Sequence, residues 1–159
     1  MEKKKILEDL REKFPEKIKE ISVEFGDEII IIDKDSLLDI VKFLKNAPYT
    51  FTMLLDLTCV DYKGQKERFQ MIYHFFSLSS NERLRINISL PEKDPSIDSL
   101  TPFWKNANWL EREVYDMFGI LFNGHPDLRR IFMYDGFEGY PLRKDYPLRK
   151  RQPRIQFRK

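Results

Sequence analysis

At 159 residues the chain is long enough for one domain with its own core, and a composition 42% hydrophobic and 34% charged is that of a globular protein. One cysteine, two histidines and six glycines exclude an internal disulfide, leave too few thiolates for an iron–sulfur cluster and give a zinc site little to start from. The net charge of +2 is unevenly placed: residues 143–159 carry eight Lys/Arg against the single Asp145, leaving −5 on the first 142 residues, so the basic tail is expected to have a negatively charged partner.

The N-terminal Lys3, Lys4 and Lys5 are followed by charge, not by the apolar stretch of a secretory signal, and Glu8, Asp9 and Glu12 are foreign to a mitochondrial transit peptide. The chain is therefore expected to remain where it is made. Leu7, Leu10 and Phe14 mark one face of a first helix, which Pro15 ends. Ile21, Val23 and Phe25 alternate as a strand, Gly26-Asp27 is the expected turn, and Glu28 to Ile32 is the partner strand. Its run Ile29 to Ile32 is the longest purely apolar candidate and far short of the ~20 residues that span a bilayer.

Asp35 is the expected N-cap of a second helix with Leu37, Leu38, Val41 and Leu44 as its apolar face, ended before Pro48. Three strands follow: Phe51 to Val60, Phe69 to Phe76, and a period-two run through Leu84, Ile86, Ile88 and Leu90. Turns at Lys63-Gly64-Gln65 and Ser79-Ser80-Asn81 make them an antiparallel meander. Strands in a run with helices at either side indicate an α+β fold, a mainly antiparallel sheet with flanking helices, and not a nucleotide-binding α/β wrap. Glycine-rich phosphate loops are absent from the sequence, in keeping with that reading.

Thr101-Pro102 has the pattern of a helix start. A stronger helix is expected from Asn108 to Phe118, with Asn108 and Glu111 at capping-box spacing, Gly119 as its stop, and Leu110, Val114 and Met117 facing the core. Two domains of organisation result: an α+β body over 1–119 and an extended, irregular tail over 120–159. In the tail Tyr140-Pro-Leu-Arg-Lys144 recurs as Tyr146-Pro-Leu-Arg-Lys150. In polyproline geometry, with three residues per turn, a six-residue offset puts both copies on one side. Such a tail would order only on its partner, so removing residues 140–159 is expected to leave the body's stability unchanged.

Glu113 and Asp116 share a helix face, as a catalytic carboxylate pair would need. Arg112 is also at ion-pair spacing from Asp116, and Arg129 and Arg130 follow, so a structural network of Glu111, Arg112, Glu113, Asp116, Arg129 and Arg130 is the preferred reading. His125, flanked by Pro126 and Asp127, is expected to bond a carbonyl or carboxylate and not a metal. Cys59 reads as an inert buried thiol, and Trp104, Trp109, Phe118 and Phe122 as core or interface. The basic tail could track a nucleic-acid backbone while its aromatics stack on bases. Its regular Tyr-Pro-Leu spacing favours a groove on a protein.

The segment Glu111-Arg112-Glu113-Val-Tyr-Asp116-Met-Phe-Gly119-Ile120, followed by His125-Pro126-Asp127-Leu-Arg129-Arg130-Ile131 and then Gly139-Tyr-Pro141-Leu-Arg143-Lys144-Asp145-Tyr146-Pro147, resembles the signature of one family of hydrophilic-arm subunits of respiratory complex I, NADH:quinone oxidoreductase. It is the family of the bacterial C subunit, homologous to the mitochondrial iron–sulfur protein 3. About 40 residues carry the match, in order. Tyr140 departs from it, standing where relatives often have His. The resemblance implies a structural and assembly subunit of the hydrophilic peripheral arm, on the cytoplasmic side of the cell membrane, without membrane insertion and without nucleic acid. It implies docking on the large hydrogenase-like subunit that helps form the quinone site, beside cluster-bearing neighbours. FMN, iron–sulfur clusters and quinone would belong to other subunits, and this chain would hold no cofactor and no catalytic residue. The equivalent subunit of a membrane-bound hydrogenase, or of a related ferredoxin- or coenzyme-dependent complex, is the alternative within the superfamily.

Overall fold

The computed structural model describes residues 5–155. Lys3 and Lys4, and Arg158 and Lys159 of the basic tail, lie outside the described residues. Helix α1 (Lys5–Lys13) buries Ile6 and Leu10, one turn apart, and Pro15 follows its end. Leu7 and Phe14 pack at the margin of the same core.

Strands β1 (Ile18–Glu24) and β2 (Asp27–Ile32) form an antiparallel hairpin. Its turn is Phe25-Gly26, not the expected Gly26-Asp27. The pairing of Glu24 with Asp27 leaves a two-residue loop with φ of +53° and +89°, the primed geometry that matches the twist of the strands. The expected apolar alternation through Val23 and Phe25 faces solvent, with Val23 63% exposed and Phe25 completely so. The reason is position: β1 is the sheet's edge, and the isoleucine run of β2 takes an inner place.

One 3₁₀ turn (Lys34–Ser36) precedes α2 (Leu37–Lys45), so Ser36 and not Asp35 stands at the N-cap, with no side-chain cap bond. Leu37, Ile40, Val41 and Leu44 are buried. Strands β3 (Met53–Asp61), β4 (Phe69–Ser77) and β5 (Glu82–Leu90) form the expected meander, and β5 then pairs in parallel with β2. The sheet order is β1-β2-β5-β4-β3. Phe69, Met71, Tyr73 and Phe75 alternate with half-buried neighbours along β4, as a strand does when one face carries the core. That face packs with the buried residues of all three helices.

Thr101-Pro102 does not start a helix. It lies in a turn in which the N–H groups of Phe103 and Trp104 both donate to the Leu100 carbonyl, at 2.9 and 3.0 Å. Two strands of three residues each, β6 (Ser96–Asp98) and β7 (Leu121–Asn123), pair in parallel and were illegible in the sequence, being too short to show a period of two.

Helix α3 (Ala107–Phe118) starts without the capping box. Asn106 is at the cap position with its amide turned to the Leu54 carbonyl at 2.7 Å, and Glu111 bonds elsewhere. Gly119 ends the helix at φ +74°, its N–H donating to the Tyr115 carbonyl at 2.8 Å. Val114 and Met117 face the core and Leu110 packs at its margin.

The architecture is thus α+β. After β7 no helix or strand occurs among the described residues. Ile120 and Phe122 still belong to the core. The repeat is not a polyproline run. The N–H of Arg143 donates to the Tyr140 carbonyl at 3.2 Å, that of Tyr146 to Arg143 at 3.0 Å and that of Lys150 to Pro147 at 3.1 Å. These are successive i to i+3 turns, which fold the segment back where an extended strap would run on.

Candidate functional site

Part of the signature gathers into three polar groups, each built on a buried charged side chain: Asp116, Glu111 and Arg68. In the first, Asp116 has no exposure and four donors: Arg130 Nη1 on Oδ1 at 2.7 Å, and the N–H groups of Ile131, Phe132 and Met133 on Oδ2 at 3.1, 2.8 and 2.9 Å. Burial works against the ionised form, but these donors outweigh it and hold the carboxyl below its usual range. Arg112 does not pair with Asp116 as its spacing indicated. It caps the carbonyls of Arg129 and Arg130, at 3.1 Å each, and lies over the Trp109 ring. Arg129 pairs instead with Asp127 at 2.9 Å, and both are exposed. Glu113 is exposed and takes no part in the group. The supposed carboxylate pair is therefore split, with Asp116 saturated by donors and Glu113 in solvent.

In the second group Glu111 is removed from the others. Its carboxylate accepts from the Leu100 N–H at 2.6 Å and the Ser99 hydroxyl at 2.7 Å. Burial pushes its pKa up to about 7, against those two donors. His125 lies 4.0 Å from it, both side chains fully enclosed. The His125 Nδ1 accepts from the Asp127 N–H at 3.0 Å. That leaves its Nε2 proton facing the Asn108 carbonyl at 3.2 Å. Pro126, exposed between them, shapes the turn.

The third group joins sequence-distant residues. Arg68, 3% exposed at its side chain, donates to both oxygens of Asp61 at 2.8 Å, to Asp145 at 2.6 and 3.0 Å, and to Glu92 at 2.5 Å. Arg68 holds Asp61 and Asp145 below the usual carboxylate range, and its own pKa is raised by them in turn. The Lys144 N–H adds a bond to Asp61 at 2.8 Å, and Arg143 Nε donates to the Phe118 carbonyl at 2.5 Å. Residues 142–145 are therefore stitched to the body, which corrects the expectation of a tail independent of it from Tyr140 onward.

Aromatic rings fill the space between the groups. The Tyr140 ring takes the guanidinium groups of both Arg130 and Arg143 over it, at 5.3 and 4.6 Å from its centre. A Cβ at Gly119 would come within 2.5 Å of that ring, so glycine is required there both by φ and by space. Gly139 accepts from Arg130 through its carbonyl at 3.0 Å and lies under Tyr146, which stacks on Phe137 at 6.1 Å. Pro141 is half-buried and Pro147 exposed.

Sequence reasoning missed Arg68, Asp61, Glu92 and Ser99. A signal existed for the first two: opposite charges facing each other at the ends of two strands joined by one loop. Cys59 is buried, and burial followed by the Asp61 charge pushes its thiol up to about 12. Trp104, Phe118 and Phe122 are core, while Trp109 is 60% exposed. No group of three or more His, Cys, Asp and Glu with metal-binding placement occurs among the described residues.

An α+β domain whose buried ion networks fasten a C-terminal signature segment across a helix and a sheet is the class that this fold and site define. The chain belongs to the family of the respiratory-chain NADH dehydrogenase 30 kDa subunit, whose model matches residues 30–152. It is 44% identical over 140 residues to the C subunit of NADH-quinone oxidoreductase from Geobacter sulfurreducens, covering 87% of this chain and 86% of that one. The same-named subunit of Trichlorobacter lovleyi is 47% identical over 143 residues, with 89% and 88% covered. Among solved structures, a trypsin-resistant fragment of Nqo5 superposes with a TM-score of 0.68 at 32% identity, over 77% of this chain and 96% of that one. A chain of a membrane-bound sulfane sulfur reductase, an archaeal respiratory membrane complex, has a TM-score of 0.76 at 22% identity, over 90% and 84%, and shares the fold.

Proposed function

We propose that this chain is a structural subunit of the peripheral arm of a proton-translocating NADH:quinone oxidoreductase, docked through its signature segment on the large hydrogenase-like subunit that helps form the quinone site. The observation that carries the reading is the Arg68 group. It fixes the signature residues Lys144 and Asp145 to the sheet, and the basic residues beyond them, Arg149, Lys150, Arg151 and Arg154, are exposed. A rigid root with an exposed cationic continuation suits attachment to an acidic surface of a partner subunit.

In this reading the chain contributes no catalytic group and no cofactor. Asp116 has its lone pairs occupied by donors, and the Cys59 thiol is buried and protonated. FMN, iron–sulfur clusters and quinone reside on other subunits, and the complex lies at the cytoplasmic side of the cell membrane. No described helix is long and apolar enough to cross a membrane, in keeping with a peripheral position. The likeness to the sulfane sulfur reductase chain supports a second reading, in which the same domain serves a relative of complex I with another electron donor or acceptor. Purification of the tagged chain from detergent-solubilised membranes, with identification of its companions, separates the two. Flavin- and cluster-bearing NADH-oxidising subunits are expected at fixed stoichiometry, and the isolated recombinant chain should hold less than about 0.1 equivalent of iron, zinc or flavin. Recovery of the chain alone, or with one equivalent of metal, overturns the reading.

A further inference from the structure

The end of the sheet opposite the Arg68 group gathers features that the fold does not need. Asp61 pairs with Phe69 at one end of β3 and β4, while Ser77 pairs with Glu82 at the other end of β4. The two ends are about 26 Å apart at ~3.3 Å per residue. At the far end stand all the non-glycine residues with positive φ among those described: Phe25 at +53°, Thr50 at +48° and Asn81 at +56°. Asn tolerates this conformation, and Thr50 is tied there by Ser79, whose Oγ is 2.5 Å from its own.

Phe25 has neither excuse. The first position of a primed two-residue turn favours Asn, Asp or Gly, yet here it carries a large side chain that is wholly exposed. A bulky residue in a left-handed conformation, burying nothing, lowers stability on both counts. Val23, 63% exposed, lies two residues earlier on β1, and Leu78, 67% exposed, lies in the neighbouring β4–β5 turn. Between the two turns is a cleft of about 320 Å³ lined by Gly26, Asp27, Glu28, Phe76, Asn81, Glu82 and Arg83. Glu28 is already engaged within the chain, and beside it the cleft carries the carboxylates of Asp27 and Glu82 against the one guanidinium of Arg83.

We propose that this end is a second docking surface, anchored by Phe25, whose occupant is a Lys- or Arg-bearing apolar segment of another subunit of the assembly. The apolar rim takes an aliphatic or aromatic side chain, and the acidic floor selects a cation beside it. Phosphate backbones and anionic lipid are repelled by the same floor. A symmetric contact between two copies would bring these carboxylates face to face. With the signature at one end and this surface at the other, the subunit bridges two neighbours. The inference rests on the chain being a subunit of a larger complex, and not on which partner the signature segment meets.

The test uses the assembled membrane complex with Phe25 replaced by photoreactive p-benzoylphenylalanine, and a control with the same group in place of the exposed Glu12. Irradiation should join position 25 to a Lys/Arg-bearing segment of another subunit at a yield well above the control. A yield no higher than the control, or a cross-link to a second copy of this chain or to lipid, overturns the proposal. Phe25→Asn supplies an independent arm, because Asn-Gly is the favoured turn. The isolated variant should melt no lower than the wild type, while the cross-linked neighbour is held about 10–100-fold more weakly and is lost from the complex at salt concentrations the wild type withstands. A Phe25→Asn complex that retains every neighbour as firmly as the wild type also overturns it. Failure of the subunit reading would look different, since no complex would be recovered with the wild-type chain at all.

Discussion

The guanidinium of Arg68 lies 2.6 Å from the carboxylate of Asp145, a residue 77 positions further along the chain, and donates through the same nitrogen to the buried Asp61. Arg68 and Asp61 are 3% and 1% exposed at their side chains. Removing one member strands the other charge, so Arg68→Met is expected to destabilise the chain by about 3–5 kcal/mol. Replacing both, as Arg68→Met with Asp61→Leu, should recover most of that loss. Urea unfolding of the four proteins of this cycle measures it, and additive losses would mean that the two side chains act separately.

Truncation separates the root of the tail from its exposed continuation. Deleting residues 140–159 removes the Leu142 bond to the Met117 carbonyl, the Lys144 bond to Asp61 and the Asp145 bond to Arg68. The melting temperature is expected to fall by about 5–15 °C. Deleting residues 151–159 should leave it within about 2 °C, because those described from 151 onward touch mainly Glu138, Tyr134 and Tyr146 near the surface. Equal effects of the two deletions would contradict the placement of the root at 142–145.

The two acids of the apparent helical pair should behave oppositely. Asp116→Ala strands Arg130 and three backbone N–H groups and is expected to cost about 3–5 kcal/mol. Glu113→Ala should stay within about 0.5 kcal/mol in the free chain, as exposed substitutions do. Thermal melts of both variants decide this.

Gly119 and Tyr140 are coupled by contact. Gly119→Ala forces a Cβ into the tyrosine ring and a side chain onto a φ of +74°, for an expected loss of about 2–4 kcal/mol. Adding Tyr140→Ser should relieve the clash but not the backbone strain, returning part of the loss. A double variant no more stable than Gly119→Ala alone would show that the ring can move aside without consequence.

Two opposing pH dependences are built into the polar groups. Asp61, Asp116 and Asp145 are held below their ordinary pKa, so their stabilisation is present above about pH 4 and is lost as the pH falls through their folded values. Glu111 is raised from 4.5 to about 7. It binds its proton more tightly folded than unfolded, so stability should decline as the pH rises between those values. Melting temperatures from pH 3 to 8 should therefore rise and then fall, and Glu111→Gln should remove the fall. A wild type that is flat between pH 5 and 8 would mean that Glu111 is ionised at little cost.

The sequence by itself determined the three helices, the strands of the meander and the helix stop at Gly119, because each is written in a local period or in one residue's conformational preference. The helix faces it marked were right only in part, since Ile6 and Ile40 joined the core while Leu7, Phe14 and Leu38 stayed at its margin. It also carried the family signature, because that is a string of neighbours. Tertiary structure alone decided where the signature residues went. Arg112 and Asp116 are one helical turn apart, yet each found a better partner in the segment 129–133 folded over them. A buried carboxylate takes whatever donors the packing brings within 3 Å, and sequence spacing ranks only the local ones. The parallel pairing of β2 with β5, the solvent-facing position of Val23 and Phe25, and the meeting of Arg68 with Asp145 were likewise settled by which surfaces the collapsed chain left for one another, a quantity that no window of neighbouring residues contains.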